Sequence, residues 1–232
     1  VLIKPFPNFE RLFCCFGDRS LEYDLILNKR GVDMGSVFLP LGKLFYAEQI
    51  HSDGIAVITD KELENNHEEL PRIIPKADSL LTIKRGLFLC VKYADCIPVL
   101  LYDPRQQAIA GIHSGRCGTK KNITGKTVAA LNTHFAADPA DIEAALGPAI
   151  SARHYPVSKE IFREFVSETG IEQSFPFLDL KKVIRSQLIR AGLKPEKIRD
   201  FPFCTYEDVN YFSYRRNNTL KRQIAIIGLL NG

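Results

Sequence analysis

A mixed α/β or α+β fold is the class that the sequence predicts, and three observations carry it. The 232 residues are 45% apolar, enough for one large domain that buries roughly 70% of its extended surface. Short β-type runs mix with amphipathic helical segments, without the regular βαβ rhythm of a doubly wound sheet. The stretch Leu87 to Gly118 holds two apolar runs, Cys96 to Tyr102 and Ala108 to Ile112, joined by the turn candidate Asp103-Pro104-Arg105. These read as adjacent strands. No linker interrupts the chain, so residues 1–232 are expected to form a single domain.

Near the N-terminus, LFCCFG and YDLILN are strand-like pieces within residues 11–30, and the glycine- and proline-punctuated residues 32–42 read as a loop. Leu44 to Thr59 predicts two short strands broken at Ser52-Asp53-Gly54, with His51 immediately before the break. Residues 61–76 are polar, hold two prolines and read as a surface excursion, which makes His67 a poor catalytic candidate. LLTI then leads into the central stretch. Asp78 and Asp95 stand beside strands, where a carboxylate caps a turn, orients a histidine or touches substrate; a structural role is the simpler reading of each.

Beyond Gly118, the apolar positions Ile123, Val128, Leu131 and Phe135 fit an amphipathic helix after an irregular start. The piece TGKT has the wrong spacing for a phosphate loop, because Lys120 stands where the first glycine would have to be. IEAAL reads as a short strand before Gly147-Pro148, and His154 follows in a loop. Ser158 caps a helix through Thr169, and Asp179 caps another through Arg190, ended by Gly192. Phe201 to Thr205 and Gln223 to Leu229 are the last strand candidates.

The net charge of +4 is mild, and the paired basic residues read as solvated surface, so no nucleic-acid face is expected. A small anionic substrate suits this balance better. No apolar run reaches the roughly 18 residues of a membrane span. The first residues, VLIKPFPNFE, lack the pattern of a signal peptide. Six cysteines without a CxxC pair do not make a disulfide scaffold; Cys14, Cys15 and Cys90 read as core thiols, and a reducing cytoplasm is the expected compartment. The predicted strand pairing places Cys96 near His113. A thiol and an imidazole brought together can bind a metal or do nucleophilic chemistry.

Seven islands then occur in a distinctive order: EQIHSDG, KADSLLT, KYADCIPVLLYDP, AGIHSGRCG, GPAI, YPVS and YFSYRRNN. Over roughly residues 44–229 the chain resembles the bacterial family once named multicopper polyphenol oxidoreductases or laccase-domain proteins, now regarded as purine nucleoside phosphorylases. The resemblance implies a cytoplasmic protein with an α-β-β-α sandwich similar to that of a bacterial toxin deamidase and other thiol hydrolases; a monomer or small homo-oligomer is expected. It implies one zinc ion on His51, Cys96 and His113, with copper as the alternative metal. It further implies phosphorolysis of adenosine, inosine and methylthioadenosine, and deamination of adenosine. Cys96, His113 and Arg215 are the expected catalytic residues, and Arg116, Tyr214 and Arg216 the expected contacts to nucleoside or phosphate. Guanidinium groups match phosphate in a bidentate fork.

The chain departs from the family where HAGWRG is usual. Here it reads His113-Ser114-Gly115-Arg116-Cys117-Gly118, so Arg116 replaces the indole and Cys117 the arginine. Three other readings remain open at this stage: a metal-free hydrolase with Cys96 as nucleophile and His113 as base, a copper-dependent phenol oxidase, and an inactive metal-binding protein. Five histidines in the whole chain are few for several coppers.

Overall fold

The computed structural model describes residues 2–231 apart from 28, 30, 36 and 63–69. Strand β1 (Leu12–Phe16) opens the fold, followed by the short helix α1 (Tyr23–Leu27) and a hairpin of β2 (Gly31–Asp33) and β3 (Phe38–Pro40). Strands β4 (Leu44–Ala47), β5 (Ile55–Val57), β6 (Arg72–Ile74), β7 (Ser79–Thr82) and β8 (Phe88–Tyr93) lead to β9 (Ile97–Asp103) and β10 (Ala108–Ser114). Helices α2 (Arg116–Lys120) and α3 (Ile123–Phe135) precede β11 (Glu143–Leu146). The chain ends with α4 (Lys159–Thr169), α5 (Leu180–Arg190), β12 (Ile198–Asp200), α6 (Tyr214–Asn217) and β13 (Gln223–Leu229).

The predicted central pair is present. β9 and β10 run antiparallel from Ala108 opposite Asp103 to Ser114 opposite Ile97, and every residue of both strands is buried. Burial on both faces is why they read as continuous apolar runs rather than alternating ones. Asp103 closes the turn by accepting the N–H groups of Arg105 and Gln106 at 2.8 and 3.2 Å.

Two sheets face each other. One has the order β1-β13-β8-β4-β6 and the other β12-β11-β9-β10-β7-β5. Between them lies a core that includes Phe16, Phe45, Leu89 and Val91 from the first sheet and Leu80, Leu100 and Ile109 from the second. The outer face of the second sheet carries α3, α4 and α5, through residues such as Val128, Leu131, Phe165, Val183 and Leu188. Among the described residues, the outer face of the first sheet is covered by α1, the β2–β3 hairpin and the single turns at Leu21 and Leu41, with Ile26, Val32 and Leu39 packed there as well. The fold is therefore a mixed α/β sandwich; of the expected α-β-β-α layers, the last is thin.

Some local expectations change. YDLILN is not a strand but contains α1, because Tyr23, Ile26 and Leu27 recur at helical spacing and turn inward while Asp24 and Leu25 face out. Residues 32–42 are not all loop, since β2 and β3 pair there. Phe201 to Thr205 is extended with a single bridge, Ala149 to Cys204, while the strand itself ends at Asp200; Pro202 has no N–H to extend a ladder. Ser52-Asp53-Gly54 does not close a hairpin, because β4 and β5 belong to different sheets. The helix caps at Ser158 and Asp179 are made as expected, to the N–H groups of Ile161 and Lys182. His67 lies outside the described residues.

All six cysteines are free. Cys14, Cys15 and Cys90 are buried, and burial pushes the Cys14 and Cys90 thiols up, to about 11 and about 12. They are core thiols. No helix among the described residues is long and apolar enough to cross a membrane.

Candidate functional site

The site is built at two of the places where the chain passes from one sheet to the other. One crossing runs from β4 to β5 through residues 48–54, and the other from β8 to β9 through Ala94, Asp95 and Cys96. Both are sharp. Gln49 and His51 have φ of 64° and 59°, and Asp95 has φ of 98°, a conformation non-glycine residues seldom adopt. Such strain persists only where surrounding bonds hold it. The Gln49 side chain donates to the Lys92 carbonyl at 2.7 Å and accepts the Lys92 N–H at 2.8 Å, continuing the β4–β8 ladder beyond its last backbone pair. The Asp95 carboxylate accepts the Thr205 hydroxyl and the Arg215 N–H, each at 2.7 Å. Asp95 therefore ties three segments together and is a positioning residue.

His51, Cys96 and His113 meet at this seam. Their ligand atoms all lie within 4.8 Å of one another, with His51 Nε2 at 3.9 Å from Cys96 Sγ and the two imidazoles nearly perpendicular. Asp78 holds the group in place. Its Oδ1 lies 2.8 Å from His113 Nδ1 and accepts the His51 N–H at 3.0 Å, while Oδ2 accepts both the N–H and the hydroxyl of Ser52 at 2.8 Å. With Nδ1 committed to a carboxylate, His113 presents Nε2 to the site, the arrangement that orients metal-binding histidines.

Gly115 completes the fit. A Cβ there would lie 2.8 Å from Cys96 Sγ and 3.3 Å from His51 Cδ2, so only glycine leaves room for the thiol. Two imidazoles and one thiolate, set so closely and backed by a carboxylate, match the donor set of a borderline-soft divalent cation with one coordination position left open. The residues fit a metal ion.

Electrostatics agree with that chemistry. Burial works against the Cys96 thiolate, but His113 and then His51 outweigh it and bring the thiol down to about 6. Burial also opposes a charged His113, yet Cys96 and Asp78 raise it to about 9. Burial disfavours the Asp78 carboxylate too, and the bonds from His113 and Ser52 still hold it below its ordinary range. Both shifts favour the thiolate–imidazolium form of the pair over the neutral one.

These three residues, His51, Cys96 and His113, open onto a cavity of about 790 Å³ that Tyr155, Tyr214 and Arg215 also line. The Arg215 guanidinium lies 5.0 Å from the centre of the Tyr155 ring. Burial raises Tyr155, and so does Cys96, while Arg116 and Arg215 both draw it down, which places both guanidinium groups beside this phenol. Arg116 thus stands next to a cavity wall although it does not line the cavity itself. Tyr214 is half exposed on the wall, with the Arg222 guanidinium 6.0 Å from its ring. Glu48, Lys92 and Arg222 add charge to the lining.

Arg216 is the exception among the expected contacts. Its guanidinium donates to the carbonyls of Thr205, Tyr206, Asp208 and Tyr211 at 2.6–3.3 Å, and it does not line the cavity. It braces a loop, and those donors are not free for phosphate. Sequence reasoning passed over Gln49, Gly115 and Tyr155. Each stood in an island that resembled the family, but nothing local distinguished it from a surface amide, a turn glycine or a core phenol.

The model of a family described as multi-copper polyphenol oxidoreductase laccase matches residues 26–230. A purine nucleoside phosphorylase of Corynebacterium glutamicum is 33% identical over 192 residues, covering 81% of this chain and 74% of the relative. One from Streptomyces coelicolor is 34% identical over 194 residues, covering 81% and 75%. The crystal structure of YlmD from Geobacillus stearothermophilus superposes with a TM-score of 0.79 at 25% identity, covering 97% of this chain and 94% of that one. The chain belongs to the multi-copper polyphenol oxidoreductase laccase family, several of whose relatives carry the name purine nucleoside phosphorylase.

Proposed function

We propose that this chain phosphorolyses purine nucleosides, adenosine, inosine and methylthioadenosine among them, to free base and ribose 1-phosphate. The observation that carries the reading is one cavity lined by the His51–Cys96–His113 group and by Arg215, with Arg116 next to its wall. The names of the relatives support the nucleoside as substrate.

In this reaction a phosphate oxygen forms a bond to the anomeric carbon as the glycosidic C–N bond breaks. The purine leaves with the electron pair and takes up a proton. Arg215, with Arg116 beside Tyr155, supplies fixed positive charge for phosphate, and such preorganised charge lowers the barrier where negative charge accumulates. Tyr214 offers a ring face to the base or sugar. His51, Cys96 and His113 would hold a zinc ion, with copper the alternative. When bound, that ion supplies Lewis-acid polarisation of the substrate. Adenosine deamination, with water attacking C6 and ammonia leaving, is a second activity of the same centre in this reading.

The test is turnover of adenosine by metal-analysed protein with and without phosphate, separating adenine, inosine, hypoxanthine and ribose 1-phosphate. Phosphate-dependent ribose 1-phosphate, lost in His113→Ala, is the expected result. Free ribose without phosphate dependence refutes phosphorolysis.

One observation favours a second reading. Asp78, His113 and Cys96 also form the carboxylate–imidazole–thiol relay of a metal-free hydrolase, with Cys96 as nucleophile and His113 as base. Activity that survives complete zinc removal and is abolished by iodoacetamide would select it.

A further inference from the structure

The loop pair that carries Tyr155 and Thr205 brings a second set of donors together. His154 ends the single turn Ala152–His154, and Cys204 and Glu207 lie on the turn that Asp208 closes by donating its N–H to the Cys204 carbonyl at 2.9 Å. One ligand atom each from His154, Cys204 and Glu207 lies within 4.8 Å of the other two. Apart from the first centre, it is the one such group found among the described residues.

The surroundings suit a cation better than a plain hydrogen-bonded loop. Cys204 is buried, and its sulfur accepts the Ser151 N–H at 3.3 Å. The Ser151 hydroxyl is itself buried without a hydrogen-bond partner among the described residues. The Tyr206 ring stacks on the His154 imidazole at 4.5 Å and fixes its plane. His154 Nε2 already meets Glu207 Oε1, so nitrogen and carboxylate point at each other. The cation that now answers Glu207 is Arg153, whose guanidinium holds both carboxylate oxygens at 2.6 Å; its side chain is 71% exposed, and an ion has to displace it. Tetrahedral zinc bonds of about 2.0–2.3 Å require donors about 3.3–3.7 Å apart. Reaching that separation takes side-chain movements of about 1 Å, with His154 Nε2 and Glu207 Oε1, now 2.5 Å apart, moving apart.

We propose that His154, Cys204 and Glu207 form a second divalent-cation site, separate from the His51–Cys96–His113 centre and suited to zinc. It does not depend on the phosphorolysis reading. The residues that follow two of its ligands are Tyr155, on the cavity wall, and Thr205, which bonds Asp95 at 2.7 Å. An ion here links the two loops and sets the spacing of those side chains.

Cobalt(II) is the probe, because cobalt bound to thiolate absorbs by charge transfer. Titration of the metal-free full chain is expected to saturate at two equivalents. Cys96→Ser retains one equivalent with the thiolate band, and adding His154→Ala to it abolishes that band. Glu207→Gln, on an exposed side chain that does not endanger folding, weakens the second equivalent at least tenfold while leaving the first. Saturation of the wild type at one equivalent, or a band in Cys96→Ser that His154→Ala does not change, overturns the proposal.

Discussion

Replacing Gly115 with alanine tests how the metal centre is built. The new Cβ would stand 2.8 Å from Cys96 Sγ and 3.3 Å from His51 Cδ2. Carbon atoms in good contact lie about 3.5–4.0 Å apart and sulfur is larger, so the thiol has to retreat by about 0.7 Å or more. Metal–ligand distances tolerate only about 0.2 Å. Cys96 cannot give that much freely, because Asp95 before it is held by Thr205 and Arg215, and Ile97 after it pairs with Ser114. Zinc affinity is therefore expected to fall about 10- to 100-fold, the range seen when metal ligands lose their support. Activity is expected to fall about 100-fold from misplacement of this size. Overpacking of about 1–3 kcal/mol corresponds to a melting temperature roughly 2–12 °C lower. Chelator-competition titration and thermal denaturation measure the two effects separately. Unchanged zinc affinity in Gly115→Ala, at any melting temperature, refutes the claim that this glycine makes room for the ligand sulfur.

Two further outcomes follow from the same geometry. In metal-free protein, alkylation of Cys96 by iodoacetamide depends on the deprotonated thiol, and a lowered pKa keeps that form to lower pH; the rate should rise through about pH 6 and be level by pH 8. A midpoint near 9, the ordinary thiol value, removes the thiolate–imidazolium pair. Arg216→Ala should lower stability by about 2–3 kcal/mol, roughly 4–12 °C, because it strips a charged donor from four carbonyls. Arg215→Ala should instead raise the KM for phosphate with little thermal effect; the reverse pattern would exchange their roles.

Some of this was legible in the chain. Cys96 and His113 could be placed together because two apolar runs and one turn fix a register, and the register found puts His113 opposite Pro98. His51 could not be placed that way. Its approach depends on β4 and β5 joining different sheets, and a turn signal such as Ser52-Asp53-Gly54 reads the same whether the chain doubles back or crosses over. Arg215 and Arg216 show a similar limit. Neighbours in a helix point about a quarter turn apart, and on the short α6 nothing local says that the first faces the cavity and the second faces the loop. Asp78 was recognisable as a capping carboxylate. That one side chain serves His51, Ser52 and His113 together is a product of the assembled sheets. The five-residue α1 was missed because it is too short to establish a period.

The two crossings at the site also bear on the order of assembly. His51 and Cys96 stand 45 residues apart in the chain, on segments that leave different strands of one sheet to enter the other. Neither segment can reach its final place until the sheets have docked face to face. An ion bound there would act as a late clasp, closing a long loop whose ends the unfolded chain seldom brings together. Metal uptake during refolding should lag behind strand pairing, so the kinetics of ion capture become a clock for the docking of the two sheets.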